Sequence, residues 1–180
     1  AGAVYALTAD TSSANGGGTG NRYFAAVNNG ATSAVYLGDA TSNAAWRPVL
    51  SLGTNQIAKL ASGPGGAVAA AVYQTDGVNK GRLVALYLSQ NSGQTWSAMT
   101  QNLPNTNPGS QAATNLAVAI DPTNTNVVYL AGDAIDPPPH TVAAFRLTLS
   151  NGSFTSVPLT DSGTDNNSAA HADARTFVFG

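Results

Sequence analysis

The 180-residue sequence has no cysteine and no glutamate, and it has few charged residues of any kind. Without cysteine it can form no disulfide, no thiolate metal site and no cysteine nucleophile. Charged residues make up 9% of the chain, against roughly 25% in an ordinary soluble protein. Seven cations and a net charge of −2 leave no basic footprint for phosphate groups, so we set nucleic acid aside as a partner.

Long apolar runs are missing as well. No segment approaches the roughly 20 apolar residues of a membrane span, so we expect none. No signal peptide is visible, and we expect any export signal to lie outside this stretch. A surface solvated by Asn, Thr, Ser and Gln instead of Glu and Lys suits extracellular bacterial β-proteins. We therefore expect a secreted or cell-surface bacterial protein.

What the sequence does contain is a series of short strand-like segments bounded by Gly, Asn, Asp and Pro turns. Three kinds of segment recur at intervals of 59 to 64 residues. They are inner strands at 56–60, 115–122 and 175–179, following strands at 3–7, 67–73 and 127–132, and polar turns at 26–33, 89–96 and 149–154. Since three landmarks share one period, the sequence predicts a repeated four-stranded blade.

The clearest polar turn combines Ser89, Asn91, Gly93, Thr95 and Trp96. It resembles the Asp box, Ser-x-Asp-x-Gly-x-Thr-Trp, of BNR-repeat β-propellers, a family that includes sialidases, sortilin-like receptors and xyloglucanase-type glycosidases. An Asp or Asn side chain caps backbone N–H groups in such a turn, Gly takes the positive φ, and Trp packs under the hairpin. The resemblance implies that these five residues are structural.

Other parts of the repeat match less closely. The first polar turn has Ser33 where Trp is expected, and Trp46 is a candidate for the same packing role. Residues 115–132 resemble the linking stretch of BNR repeats, in which a strand, an Asp-Pro turn and a second strand follow one another.

We therefore predict an all-β chain of about three four-stranded antiparallel blades of a β-propeller. The approximate blades are residues 1–55, 56–114 and 115–167, and 168–180 would be the inner strand of the next blade. Propellers close with roughly 4–8 blades, so we expect the chain to be part of a larger ring. The remaining blades would come from the same precursor or from other chains.

The segment around His171, Asp173 and Arg175 is the first candidate for ligand binding. Residues at i and i+2 of an extended strand point to one side, where these three could bind a metal ion or a sugar hydroxyl. It also resembles a His-x-Asp segment found before an inner strand in some bacterial BNR-like proteins, where inner strands line the central channel. The alternative is a buried polar network that joins neighbouring blades.

Two oxygen-rich loops are candidates for metal binding. Asp133, Asp136 and His140 lie in one loop, and Asp161 and Asp165 lie in the other. Clustered oxygen ligands suit Ca²⁺, which is the candidate ion. The alternatives are a rigid proline-held surface loop for the first segment and a solvated linker for the second.

Three functions fit these residues. The first is an extracellular binding or scaffolding module, for which polysaccharide is a candidate ligand. The second is a fragment of a propeller glycoside hydrolase that uses two Asp carboxylates, since that chemistry needs a carboxylate pair and Glu is absent. The third is a subunit of a multichain surface assembly. We expect no catalysis from this chain alone, and no motif names a substrate.

Overall fold

The computed structural model describes residues 2–12, 22–39, 45–135, 140–160 and 170–180. Within these ranges the chain folds into twelve β-strands and one short 3₁₀ turn. No helix in the described ranges is long and apolar enough to cross a membrane. The protein is therefore all-β.

The strands form three four-stranded antiparallel sheets, and in each sheet the strands follow chain order. The first sheet contains β1 (Ala3–Ala9), β2 (Arg22–Asn28), β3 (Ser33–Asp39) and β4 (Arg47–Leu52). The second contains β5 (Gln56–Gly63), β6 (Ala67–Gln74), β7 (Leu83–Ser89) and β8 (Ser97–Met99), with the 3₁₀ turn Pro64–Gly66 between its first two strands. The third contains β9 (Ala117–Ile120), β10 (Val127–Ala134), β11 (Val142–Ser150) and β12 (Ser153–Pro158). Each sheet has the strand order of a propeller blade.

Two apolar layers hold the sheets together, and β6 shows how they arise. Because successive side chains of a strand point to opposite faces, Val68 and Val72 pack toward the first sheet, and Ala69 and Ala71 pack toward the third. All four side chains are fully buried. The second sheet is thus covered on both faces, and its many alanines let the neighbouring sheets approach closely.

The first strands of the three sheets are neighbours. β5 contacts both β1 and β9, and the outer strands β8 and β12 also touch. The hydroxyls of Thr8 on β1 and Ser62 on β5 are 2.9 Å apart and share a hydrogen bond. Successive sheets that meet along their first strands are the arrangement of consecutive propeller blades.

The predicted repeat was wrong for the first sheet. Residues 3–7 form the first strand of their sheet, whereas residues 67–73 and 127–132 belong to second strands. The polar turn at 26–33 joins second and third strands, whereas those at 89–96 and 149–154 join third and fourth strands. From Ala67 to Val127, the starts of β6 and β10, is 60 residues, but from Arg22, the start of β2, to Ala67 is only 45. Short alanine- and valine-rich strands look alike at any position in a blade, so their composition did not reveal the order.

The predicted inner strand near the end of the chain has no strand structure. Residues 172–180 belong to no strand, although the rings of Phe177 and Phe179 lie 6.0 and 5.6 Å from that of Tyr129. An inner strand needs a second strand to pair with, and the described residues supply none there. The assignment of 168–180 to a next blade stays a prediction.

An Asp-Pro turn joins β9 to β10. Asp121 accepts hydrogen bonds from the backbone N–H of Thr123 at 2.8 Å and from the Tyr129 hydroxyl at 3.0 Å. The Thr123 N–H is the main cause that lowers the pKa of Asp121, with help from the Thr123 hydroxyl, Tyr129 and the N–H of Asn124. Hydrogen bonds to the charged form of a carboxyl favour that form.

Candidate functional site

The polar turn that resembles an Asp box connects β7 to β8. The Ser89 hydroxyl accepts hydrogen bonds from the N–H groups of Asn91 and Gly93, at 3.3 and 2.9 Å. The Asn91 side chain accepts from the N–H of Thr95 and donates to its hydroxyl, both at 2.9 Å. Gly93 has φ +74, a value that favours glycine. Each polar side chain of the motif thus satisfies the backbone or another side chain of the turn.

The same turn also fastens the second sheet to the first. Trp96 is partly buried and donates its indole N–H to the carbonyl of Val49 on β4, at 2.9 Å. Ser92 donates to Asp10 at 3.0 Å. Asp10 is fully buried just after β1 and forms an ion pair with Arg22 at 3.1 Å. The turn is therefore a structural junction, and its polar groups are already used.

A cleft of about 340 Å³ lies at one end of the third sheet and brings together four predicted site residues. His140 and Asp133 line one part of it, and His171 and Asp173 line another. Backbone hydrogen bonds hold the walls in place: Ala172 N–H donates to His140, and Ala174 N–H donates to Gly132, at 3.2 and 2.9 Å. The two histidines are the only ones in the chain. Two separately predicted sites are thus one cleft.

Asp133 forms the buried floor of this cleft. Only 1% of the residue is exposed, and its two carboxylate oxygens accept hydrogen bonds from the Asn107 amide and from the Gln111 N–H, both at 3.1 Å. A Cβ on the adjacent Gly132 would lie 2.1 Å from the Thr106 carbonyl oxygen, so the linker between β8 and β9 can lie this close only against glycine. Asp133 supports the cleft from below.

Asp173 and His171 are the exposed polar groups of the cleft wall. Asp173 has φ +76 and accepts a hydrogen bond from the Asn115 amide at 2.7 Å. Positive φ at a residue other than glycine costs energy and is frequent at functional sites. Arg175 is exposed but does not line the cleft. The predicted row of three side chains was wrong because the chain turns at Asp173 instead of continuing as a strand.

Two buried oxygen atoms beside the cleft have no hydrogen-bond partner. They are Oδ1 of Asn115 and Oγ1 of Thr141. Asn115 is the residue that holds Asp173, and Thr141 forms a β-bridge with His171. Because a buried polar atom is normally paired, these two mark places where a bound water molecule or ligand would gain a hydrogen bond.

The predicted metal sites are only partly open to inspection. Asp136, Asp161 and Asp165 lie outside the described residues. Among the residues that the structure does describe, no group of three or more His, Cys, Asp or Glu side chains could hold a metal ion. Both oxygens of Asp133 already accept N–H groups, which disfavours it as a Ca²⁺ ligand. Calcium at these loops stays a prediction.

A second cleft, of about 360 Å³, lies along the first strands of the sheets. Thr8, Ser62 and Ile120 line it together with Phe177 and Phe179. This is the position in which the sequence placed His171 and Asp173, and neither residue lines it. The candidate polar site therefore lies at the end of the third sheet and not along the inner strands.

The sequence gave no signal for several residues that build the site. Asn107, Asn115 and Gln111 come from an Asn- and Gln-rich linker in which nothing distinguishes them. They are recognised only because their side chains or N–H groups bond to Asp133 and Asp173.

Comparison with protein-family models gives no match, and comparison with curated proteins gives none either. Among solved structures, the chain is similar to NanB in "NanB plus Optactamide", a bacterial sialidase, at 15% sequence identity and a TM-score of 0.47. That likeness covers 76% of this chain and 21% of the NanB chain, so the chain spans about a fifth of NanB. The description as blades accordingly depends on the sheets of this chain.

Proposed function

We propose that the chain is part of a secreted bacterial Asp-box β-propeller that binds carbohydrate in the cleft formed by His140, His171, Asp133 and Asp173. The observation that carries the proposal is the convergence of both histidines and an exposed aspartate on one cleft. Binding sites of small ligands are concave and carry a few convergent polar groups.

The turn at Ser89–Trp96 supports the family part of the proposal. Each of its motif residues acts as the Asp-box pattern requires, with Asn91 as the cap and Gly93 at positive φ. The secreted location is supported by composition, since the chain is poor in charge and has no Glu.

The chemistry of the cleft supports a neutral sugar. Sugar hydroxyls donate and accept hydrogen bonds, and the carboxylate of Asp173 and the imidazoles of His140 and His171 offer complementary groups. No arginine lines the cleft among the described residues, so a sugar carboxylate would lack the bidentate partner that such groups favour.

The position of the carboxylates favours binding over hydrolysis. Glycosidases usually use two carboxyl groups that flank the scissile bond. Asp133 is buried and both of its oxygens accept N–H groups, so Asp173 is the exposed carboxylate of the described cleft wall. The hydrolase alternative would need a second accessible carboxylate.

Calorimetry with neutral oligosaccharides tests the proposal. Xyloglucan oligosaccharides, cellotetraose and mannotetraose would be compared with the anionic sialyllactose. We expect at least one neutral sugar to bind, and His171→Ala and Asp173→Asn each to weaken binding by about tenfold, since a hydrogen bond to a charged group contributes about 1.5–3 kcal/mol.

The control is Asp76→Asn, because Asp76 is an exposed aspartate outside the cleft. It should bind like the wild type. Chromatography of the incubated sugars would detect hydrolysis and so support the enzyme alternative. Binding by no neutral sugar, or equal binding by all variants, would overturn the proposal.

A further inference from the structure

We propose that the outward face of the first sheet docks a second copy of this chain, through the outward face of that copy's third sheet. This outward face of the first sheet is lined by Val4, Leu7, Ala25, Val27, Tyr36 and Trp46. These residues form an open cleft of about 420 Å³ without a polar or charged surface. Val4 and Leu7 are each 61% exposed, and Trp46 is 39% exposed.

The side of the sheet is fixed by strand alternation. Phe24 and Ala26 of β2 are buried against the second sheet, so Ala25 and Val27 point the other way. A register shift between Val4 and Ala6 in β1 places Val4 and Leu7 on that same outward face. The face is therefore continuous across the first strands of the sheet.

The internal repeat shows what such a face is built to contact. Trp46 directly precedes β4, the fourth strand of its sheet, as Trp96 directly precedes β8. Trp96 lies on the face of the second sheet that is buried against the first, and it donates to the Val49 carbonyl there. The outward face with Trp46 is thus the repeat equivalent of a face that already packs on a neighbouring sheet.

The complementary face belongs to the third sheet. Val128 and Leu130 of β10 pack toward the second sheet, so Tyr129 and Ala131 point outward. That outward face is the repeat equivalent of the face that the second sheet turns toward the third. Only the terminal segment, through Ala174 and Phe177, packs on its buried cluster among the described residues.

Two copies joined in this way supply six sheets, within the roughly 4–8 blades that close a propeller. The contact joins unlike faces, and such contacts form a ring when the rotation closes. Trp46 would then donate its indole N–H to a β12 carbonyl of the partner copy. The β1 strand of the partner copy would take the place of the terminal segment that carries Phe177 and Phe179, so this segment must move.

Sedimentation of the 180-residue chain tests the proposal over a range of concentrations. We expect a dimer that becomes monomeric with Leu7→Asp and with Val157→Lys. Val157 is 55% exposed and pairs with Arg146 on the outward face of the third sheet. Phe179→Ser should tighten the dimer several-fold, because it loosens the segment that must move.

Val78→Asp is the matched control, since Val78 is 97% exposed and lies in a turn away from both faces. It should remain dimeric, and circular dichroism would show that every variant keeps its sheets. A wild-type chain that stays monomeric at about 0.1 mM overturns the proposal. A dimer that survives Leu7→Asp or Val157→Lys, or an open ladder of larger oligomers, overturns it as well.

Discussion

Two buried aspartates, Asp10 and Asp133, do different work in this molecule. Asp10 has a cationic partner, Arg22, and accepts a hydrogen bond from Ser92 of the neighbouring sheet. Asp133 accepts from neutral groups, the Asn107 amide and a backbone N–H. Both are at most 1% exposed.

The surroundings explain the difference. The groups around Asp10 come from two sheets, so this carboxylate joins blades and leaves no group for a ligand. Asp133 instead holds a linker beneath an open cleft whose wall carries the exposed His171 and Asp173. Burial of a carboxylate alone therefore does not identify a ligand site, whereas exposed polar neighbours do.

The largest expected effect is that of Asp10→Ala. It leaves Arg22 without its ion-pair partner, and loss of one member of a buried pair costs about 3–5 kcal/mol. Urea unfolding would measure the free energy of unfolding, with Asp76→Ala as an exposed control. An equal loss in both variants would remove the structural role of Asp10.

Asp133→Ala should have a smaller effect. It leaves the Asn107 amide and the Gln111 N–H without acceptors, at a cost of about 2 kcal/mol, and it loosens the cleft floor. Urea unfolding and sugar calorimetry on the same sample would report both effects. A loss as large as that of Asp10→Ala would contradict the distinction between the two aspartates.

Trp96→Phe should cost about 1 kcal/mol, because it removes one hydrogen bond and keeps most of the ring. Trp46→Phe should leave the stability unchanged when the protein is dilute enough to be monomeric. Urea unfolding at low concentration compares them. If the two substitutions cost the same, the indole N–H of Trp96 does not join the first two sheets.

The smallest effect concerns pH and Asp121. Its folded pKa is lowered, chiefly by the Thr123 N–H, so its contribution to stability is present above the unfolded pKa of about 4 and is lost as pH falls through the folded pKa. Asp121→Asn removes this titration. Unfolding curves of the wild type and the variant should differ at neutral pH and converge in acid. A constant difference at every pH would contradict the assignment.

Much of the fold could be predicted from the sequence. Alternating apolar residues and turn residues predicted the all-β class and four-stranded sheets, and the Ser89–Trp96 pattern predicted its own hydrogen bonds. The order of strands in the first sheet could not be predicted, because β1 resembles β6 in composition. That order depends on which strands pair across the long connection between β1 and β2.

The site could be predicted only in pieces. His171, Asp173, Asp133 and His140 stood out as polar residues among apolar strands, but they are distant in sequence and were assigned to two sites. Their convergence depends on the backbone hydrogen bonds of residues 170–174 to β10 and the loop before β11. Arg175 was misplaced for the same reason, since a turn at Asp173 has no sequence signal here.

The most direct test of the proposed site is NMR of the imidazole groups during titration with the neutral sugar that binds most tightly in calorimetry. The chain has two histidines, His140 and His171, and both line the cleft. We predict that both imidazole signals shift along one saturating curve with the calorimetric Kd. Sugar binding that leaves both signals unmoved would contradict the account.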